Sequence, residues 1–366
     1  MLRNHAAPRK LGARMDTIRS GMTVLLACGV MISALDANAD RRAGLVHAAR
    51  LPGLDATDLR RAQGGEAVTR TLESGDAREV VVIGAIALPV SRQSVVASLR
   101  DIMFTTSAVV PQLGRFSAKP SIADLDALTI DASDLDDLRE CQIARCKIHL
   151  PADTVRALEG LNGNGDGNSQ GLAADERRTR LFKQFLHERT RAYLATGRSA
   201  LAPYAQRAGV NGPAADIDSL LTASVPYLAL APAVARHLRE FPSRSSEVDD
   251  ALYWTKEQFG WKPVIRVTHF AIGPVSPGNG EPIVAGALQI YASHYVDASL
   301  SLVVLLGNDQ PGQDCQVIYV SRARMKATAG RFGGITRRVI ESRARDALRR
   351  FLETLKTRST GTARPS

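Results

Sequence analysis

The chain lacks an apolar run long enough to cross a bilayer, which takes about 20 residues; its N-terminal candidate, Gly21 to Leu35, stops short. Cysteine is scarce, four in 366 residues, so a disulfide-stapled scaffold is excluded. No internal repeat is visible, which removes solenoids and propellers. What is abundant is apolar and basic: 45% of residues are hydrophobic, enough for a packed core, and the formal charge is +10. A basic surface can attract nucleic acid, anionic lipid or acidic polysaccharide.

The first 20 residues hold Arg3, Arg9, Lys10, Arg14 and Arg19 against Asp16 alone, and the Gly21–Leu35 run follows at once. That order, with small residues at Ala37-Asn38-Ala39, is that of a secretory leader cleaved after Ala39. A start at Met15 would give the same product. Leu25-Leu26-Ala27-Cys28 resembles a lipobox, but the apolar stretch runs on past Cys28. The expectation is a periplasmic protein starting at Asp40, with no transmembrane helix after cleavage and a formal charge lowered from +10 to +7 by loss of five basic and two acidic groups. Export makes nucleic acid the least expected partner.

Three cysteines remain. Cys141 and Cys146 are near enough to pair in an oxidising compartment; with His149 they also make a Cys-x4-Cys-x2-His metal pattern that lacks a fourth ligand, and buried thiols are the third reading. Cys315 sits in an apolar strand pattern and reads as a buried thiol.

Residues 40–56 show no periodicity and read as a lead-in. Ala67 to Leu72 and Glu79 to Leu88 (EVVVIGAIAL) read as a hairpin across Ser74-Gly75-Asp76. Pro89 ends the second strand, and Val95, Val96, Leu99 and Ile102 give a helix capped by Ser91. Residues 121–140 read as short acidic helices with a capping box at Ser133 and Asp136. Leu161 to Gly171 is a low-complexity glycine loop, a helix over 174–196 follows with Gly197 to stop it, and shorter helices lie between Asp216 and Glu240, interrupted by Pro226 and Pro232.

The last third turns to strands at 262–272, 283–296, 297–306 and 315–322, joined by short turns that imply antiparallel neighbours. A long helix closes the chain. Its apolar face carries Ile340, Ala344, Ala347, Leu348, Phe351, Leu352 and Leu355; its basic face carries Arg338, Arg345, Arg349, Arg350 and Lys356. Glu341–Arg345 and Asp346–Arg350 have the spacing of i,i+4 ion pairs. Residues 358–366 read as a flexible tail.

Three motifs fail on context. Gly167-Asn168-Ser169-Gln170-Gly171 matches G-x-S-x-G, but no buried strand precedes it. Asn162, Asn164 and Asp166 echo a calcium loop, yet the position of its bidentate glutamate is Ala173. Ser293, His294 and Asp297 are triad residue types, but alternation sends Ser293 and His294 to opposite faces. No catalytic residue and no cofactor or metal motif survives.

The segment EVVVIGAIALPVSRQSVVASLRDI, the late antiparallel strands and the closing helix together resemble the START-like helix-grip superfamily over about 66–117 and 250–357, with a large helical insertion at about 118–249. The whole chain also looks similar to secreted bacterial proteins. The resemblance implies an α+β fold in one domain, 57–357, whose antiparallel sheet wraps around the C-terminal helix and holds an apolar ligand there. Its expected partner is a hydrophobic small molecule or lipid near Phe351. Alternation puts His269 on one face with Ile265, Val267 and Ala271, and His294 on one face with Leu288 and Ile290. His269 and His294, with Trp254 and Tyr291, are the further candidate ligand contacts, each also readable as core. The alternative function is an envelope interaction protein whose basic helix face meets an anionic surface or protein; an enzyme comes third.

Overall fold

The computed structural model describes residues 51–361 apart from 104, 106, 108–109, 164–171, 206–211, 260–261, 279, 308–313 and 330–332. The expected leader at 1–39, the lipobox at Cys28, residues 40–50 of the lead-in and the G-x-S-x-G segment lie outside the described residues.

Eight strands form one antiparallel sheet in the order β1-β2-β8-β7-β6-β5-β4-β3. The expected hairpin is β1 (Val68–Leu72) and β2 (Glu79–Leu88), paired Val68 to Ala85 and Leu72 to Val81. The late strands are β5 (Lys262–Gly273), β6 (Ile283–Ala292), β7 (Ala298–Leu306) and β8 (Cys315–Arg324). Two more complete the edge: β4 (Asp249–Phe259) and β3 (Gln112–Arg115). The first of these, DDALYWTKEQF, escaped the sequence reading because it mixes charges into its alternation. β8 returns beside β2, with Tyr319 opposite Gly84.

The apolar run of β2 is buried throughout because both sheet faces are covered. On one face Val82, Ile86 and Leu88 share a core with Val95, Val96 and Leu99 of α2 (Arg92–Met103) and with Leu348, Leu352 and Leu355 of the C-terminal helix. On the other, Val81, Ile83 and Ala85 join Val267, Leu288, Leu302 and Ile318 under a helical layer. That layer comprises α3 (Ala132–Arg139), α4 (Ala152–Gly163), α5 (Leu172–Thr196), α6 (Pro213–Ala223), α7 (Val225–Leu228) and α8 (Pro232–Glu240). The architecture is therefore α+β, an antiparallel sheet contacting a long C-terminal helix, with a helical middle region.

Local chemistry sets most boundaries. The Ser94 N–H donates to Ser91 Oγ at 3.3 Å, as a cap of α2 requires. Gly197 ends α5 with φ +69°, and a Cβ there would lie 1.9 Å from the Phe241 carbonyl oxygen, so no side chain fits. Pro226 and Pro232 begin helices rather than interrupt one, each in the first turn where a missing N–H costs nothing. Several expectations are corrected. A helix α1 (Ala56–Gln63) starts inside the lead-in, capped by Asp55, whose own N–H donates in return to the Asp58 carboxylate. The capping box in the acidic stretch is Ser121 with Asp124, not Ser133 with Asp136.

The C-terminal helix α9 (Gly333–Gly361) lies along β2 and β1 and against α2. Its approach depends on Gly84, where a Cβ would meet Val68 O at 2.9 Å and Leu352 and Leu348 methyls at 3.0 and 3.1 Å. The expected tail at 358–366 begins as helix, and Ser359 is fully buried. Glu341 pairs with Arg337 at 2.8 Å, one turn back, in place of the expected Arg345.

Cys141 and Cys146 form a disulfide beyond the end of α3. Cys315 is buried in β8 and stands outside it. Deeper in the helical layer, Asp216 accepts from Arg78 and from Arg324, each at 3.0 Å, which ties α6 to the hairpin turn and to β8. No described helix is long and apolar enough to cross a membrane.

Candidate functional site

A cavity of about 240 Å³ lies between the sheet and the helices α2 and α9. Its roof is apolar, with Leu99 and Met103 from α2 and Phe351 from α9. Its floor is the face of the sheet that α9 only partly covers. Alternation along β5 brings Arg266 and Thr268 to that face, while β7 brings Ser299 and Ser301. Glu257 from β4, Gln289 from β6 and Tyr319 from β8 add further polar groups among Tyr253, Phe270, Ala285, Ala287 and Val303, so a mixed floor lies under an apolar lid.

Much of the floor is internally paired. Ser299 donates to Gln289 Oε1 at 3.1 Å, and Gln289 donates to the Val296 carbonyl at 3.3 Å. The hydroxyls of Ser301 and Ser321 are 2.9 Å apart. Arg266 Nε stands 3.2 Å from Glu257 Oε2, an ion pair too far off line for a hydrogen bond, so this buried N–H lacks a hydrogen-bond partner among the described residues. Burial pushes the Tyr319 hydroxyl above its ordinary pKa, keeping it a neutral donor. Tyr319 and Phe351 rings sit 5.2 Å apart, so the helix residue meets the floor directly.

Of the five candidate contacts from the sequence, Phe351 lines this cavity. The other four lie on the opposite face of the sheet, beneath the helical layer. Trp254 donates its indole N–H to the Asp124 carbonyl at 2.8 Å. Tyr291 is enclosed by Phe182, Phe185 and Tyr204, with Arg189 Cζ 5.7 Å from its ring and no hydrogen-bond partner for its hydroxyl among the described residues.

The two histidines share that face without converging. His294 contacts Asp134 Oδ1 through Nε2 at 2.9 Å and the Lys147 carbonyl through Nδ1 at 3.2 Å. His269 is hydrogen-bonded through Nδ1 with the Tyr193 hydroxyl at 2.9 Å, while its Nε2 stands 3.3 Å from Asp250 Oδ2. Ser293 does not join them: its hydroxyl accepts from the Ile265 N–H at 3.0 Å.

Around His269 the structure assembles residues that sequence reasoning missed. His237 of α8 and Asp250 of β4 meet it, and Arg244 Nη1 is 3.5 Å from Asp250 Oδ1. Burial pushes Asp250 up, but the two imidazoles and Arg244 outweigh it and hold the carboxyl below its ordinary range. Burial likewise pushes His269 down, against the opposing pull of Asp250. Asp250 also borders a second cavity, of about 370 Å³, walled by Arg115, Phe116, Ser117, Asp124 and Leu252.

The polar floor had a visible signal: Arg266 and Thr268 alternate with Val267 and His269, and Ser299 and Ser301 with Leu300 and Leu302. The His237, Asp250 and His269 cluster had none, since its members fall in three separate segments. Comparison of the chain with protein-family models, curated proteins and solved structures finds no match to any of them.

Proposed function

We propose that the protein binds a small amphipathic molecule between the sheet and the C-terminal helix, in the manner of a START-like helix-grip protein. The carrying observation is the composition of the cavity: an apolar roof of Leu99, Met103 and Phe351 over a floor holding Arg266, Glu257, Gln289 and paired serines. A plain core would put apolar side chains at those floor positions, since burying polar groups costs free energy unless they are paired. The Arg266 guanidinium, ion-paired with Glu257, puts a charge on that floor.

Size narrows the ligand class. At about 240 Å³ the cavity is smaller than the roughly 300 to 1,000 Å³ of drug-sized sites. That suits a ring system or short chain with one anionic or hydrogen-bonding head, and it is too small for a two-chain lipid. The reading includes export through the leader at residues 1–39 and work in the periplasm, where the basic stretch before Gly21–Leu35 and the Ala37-Asn38-Ala39 site support it.

Native mass spectrometry of protein taken from its own cell is the test. The expected spectrum shows one small molecule bound per chain. A spectrum showing only the bare chain, with no uptake from a panel of aromatic and short-chain acids, would overturn the reading.

A second reading rests on α9, where Arg338, Arg345, Arg349 and Arg350 are all exposed beside Ile335 and Val339, exposed apolar residues of the same helix. That face would meet an anionic surface or protein of the envelope. Reversing Arg345 and Arg349 to glutamate should then abolish sedimentation with anionic vesicles while the fold is kept; unchanged sedimentation counts against it.

A further inference from the structure

We propose that His237, Asp250 and His269 form a binding site for a divalent metal ion of the zinc type, on the opposite face of the sheet from the cavity under α9. The three side chains come from α8, β4 and β5, and one ligand atom of each lies within 4.8 Å of the other two.

The distances suit an ion better than they suit hydrogen bonds. His237 Nε2 stands 3.5 Å and His269 Nε2 3.3 Å from Asp250 Oδ2. Good N–H···O bonds are about 2.7–3.2 Å. Two ligands about 2.0–2.1 Å from a tetrahedral zinc ion are separated by roughly 3.4 Å, and the two histidine-to-Asp250 distances match that spacing. Octahedral geometry at the same bond length would bring neighbouring ligands to about 2.9 Å.

His237 supplies an independent observation. It is 1% exposed, and neither ring nitrogen has a hydrogen-bond partner among the described residues. Buried polar groups are rarely left so, because water no longer satisfies them. A metal ion accepting one lone pair would give this imidazole its missing partner.

The surroundings prepare the other two ligands. The Tyr193 hydroxyl at His269 Nδ1 can accept that N–H and so leave the Nε2 lone pair facing Asp250, the usual outer-shell device for a metal-bound histidine. Arg244 engages Asp250 Oδ1, leaving Oδ2 towards the histidines. Two imidazoles and one carboxylate favour zinc over the oxygen-seeking magnesium and calcium. Asp250 belongs to both the cluster and the 370 Å³ cavity, so a fourth position can open to that cavity.

A second trio, Asp134, Asp137 and His294, does not share these features. His294 and Asp134 are already in direct contact at 2.9 Å, and Asp137 is paired with the Lys262 ammonium.

The test is zinc uptake by untagged protein in competition with a chromophoric chelator, and cobalt loading followed by visible absorption. One equivalent of zinc should bind with submicromolar Kd, and cobalt should give the intense bands of a four-coordinate ion. H237Q and D250N should each weaken zinc by about a hundredfold or more, Y193F by about tenfold, and H187Q not at all. Wild-type protein that binds no zinc equivalent, or that gives only the weak spectrum of six-coordinate cobalt, overturns the assignment. So does zinc held equally well by a folded H237Q/D250N double variant. The wild-type measurements decide even where a variant fails to fold.

Discussion

The Phe351 ring of the C-terminal helix rests 5.2 Å from the Tyr319 ring of β8, and Tyr319 is paired across the sheet with Gly84. Leu348 and Leu352 press down on that glycine, so a single contact zone holds the helix to the sheet and forms one end of the cavity. Phe351 is only half-buried. F351A should therefore cost a modest 1–2 kcal/mol of stability in urea titration, and lower affinity for a bound amphiphile by about tenfold.

Gly84 is the sharper probe of helix docking. G84V places carbon within 3.1 Å of Val68 O, Leu352 and Leu348, and overpacking of this kind costs typically 1–3 kcal/mol. In contrast, G160A adds a methyl to α4 with nothing within 4 Å, and should stabilise by up to about 1 kcal/mol. Equilibrium denaturation of both variants measures the difference.

The sheet and its closing helix were legible because their signals are local. The β2 run, the alternation in β5 to β8 and the apolar stripe of α9 each announce themselves within a dozen residues or so. β4 was not, because Asp249, Asp250, Lys256 and Glu257 interrupt its apolar face; their partners are far away in sequence, as Lys256 with Asp131 shows. The candidate site was half legible. Phe351, read from the helix face, lines the cavity, whereas His269 and His294, read from the apolar side of their strands, and the similar candidates Trp254 and Tyr291 lie on the opposite face. Both faces of this sheet carry apolar residues, and alternation cannot say which one the C-terminal helix covers.

Acid and base responses should separate at one pair. His149 is stacked on Tyr204, donates Nδ1–H to the Ala292 carbonyl at 2.9 Å, and lies 3.9 Å from Asp297. Burial pushes His149 down to about 3, so its neutral form contributes stability above the unfolded value near 6.5 that is lost as pH falls towards 3. Burial pushes Asp297 up to about 6, with Lys326 opposing, so its contribution is present below about 4 and lost as pH rises through 6. D297N should accordingly gain about 2–3 kcal/mol over wild type at pH 8 and little at pH 4, read from urea midpoints at the two pH values.

The Cys141–Cys146 bond closes a short loop, five residues apart in sequence. Loop-closure entropy for so small a ring gives about 2 kcal/mol. C141S/C146S should lose that amount in denaturant titration, and wild-type protein in reductant should match the variant.

The central claim is a ligand under the C-terminal helix, and its most direct measurement is the fluorescence of an anionic naphthalene dye titrated with wild-type protein and with S301F, which fills the floor of that cavity. The account predicts one saturable site on wild type, at least tenfold weaker in S301F, with the thermal unfolding of the two proteins alike. Equal dye binding by both, or no saturable binding to wild type, would contradict it.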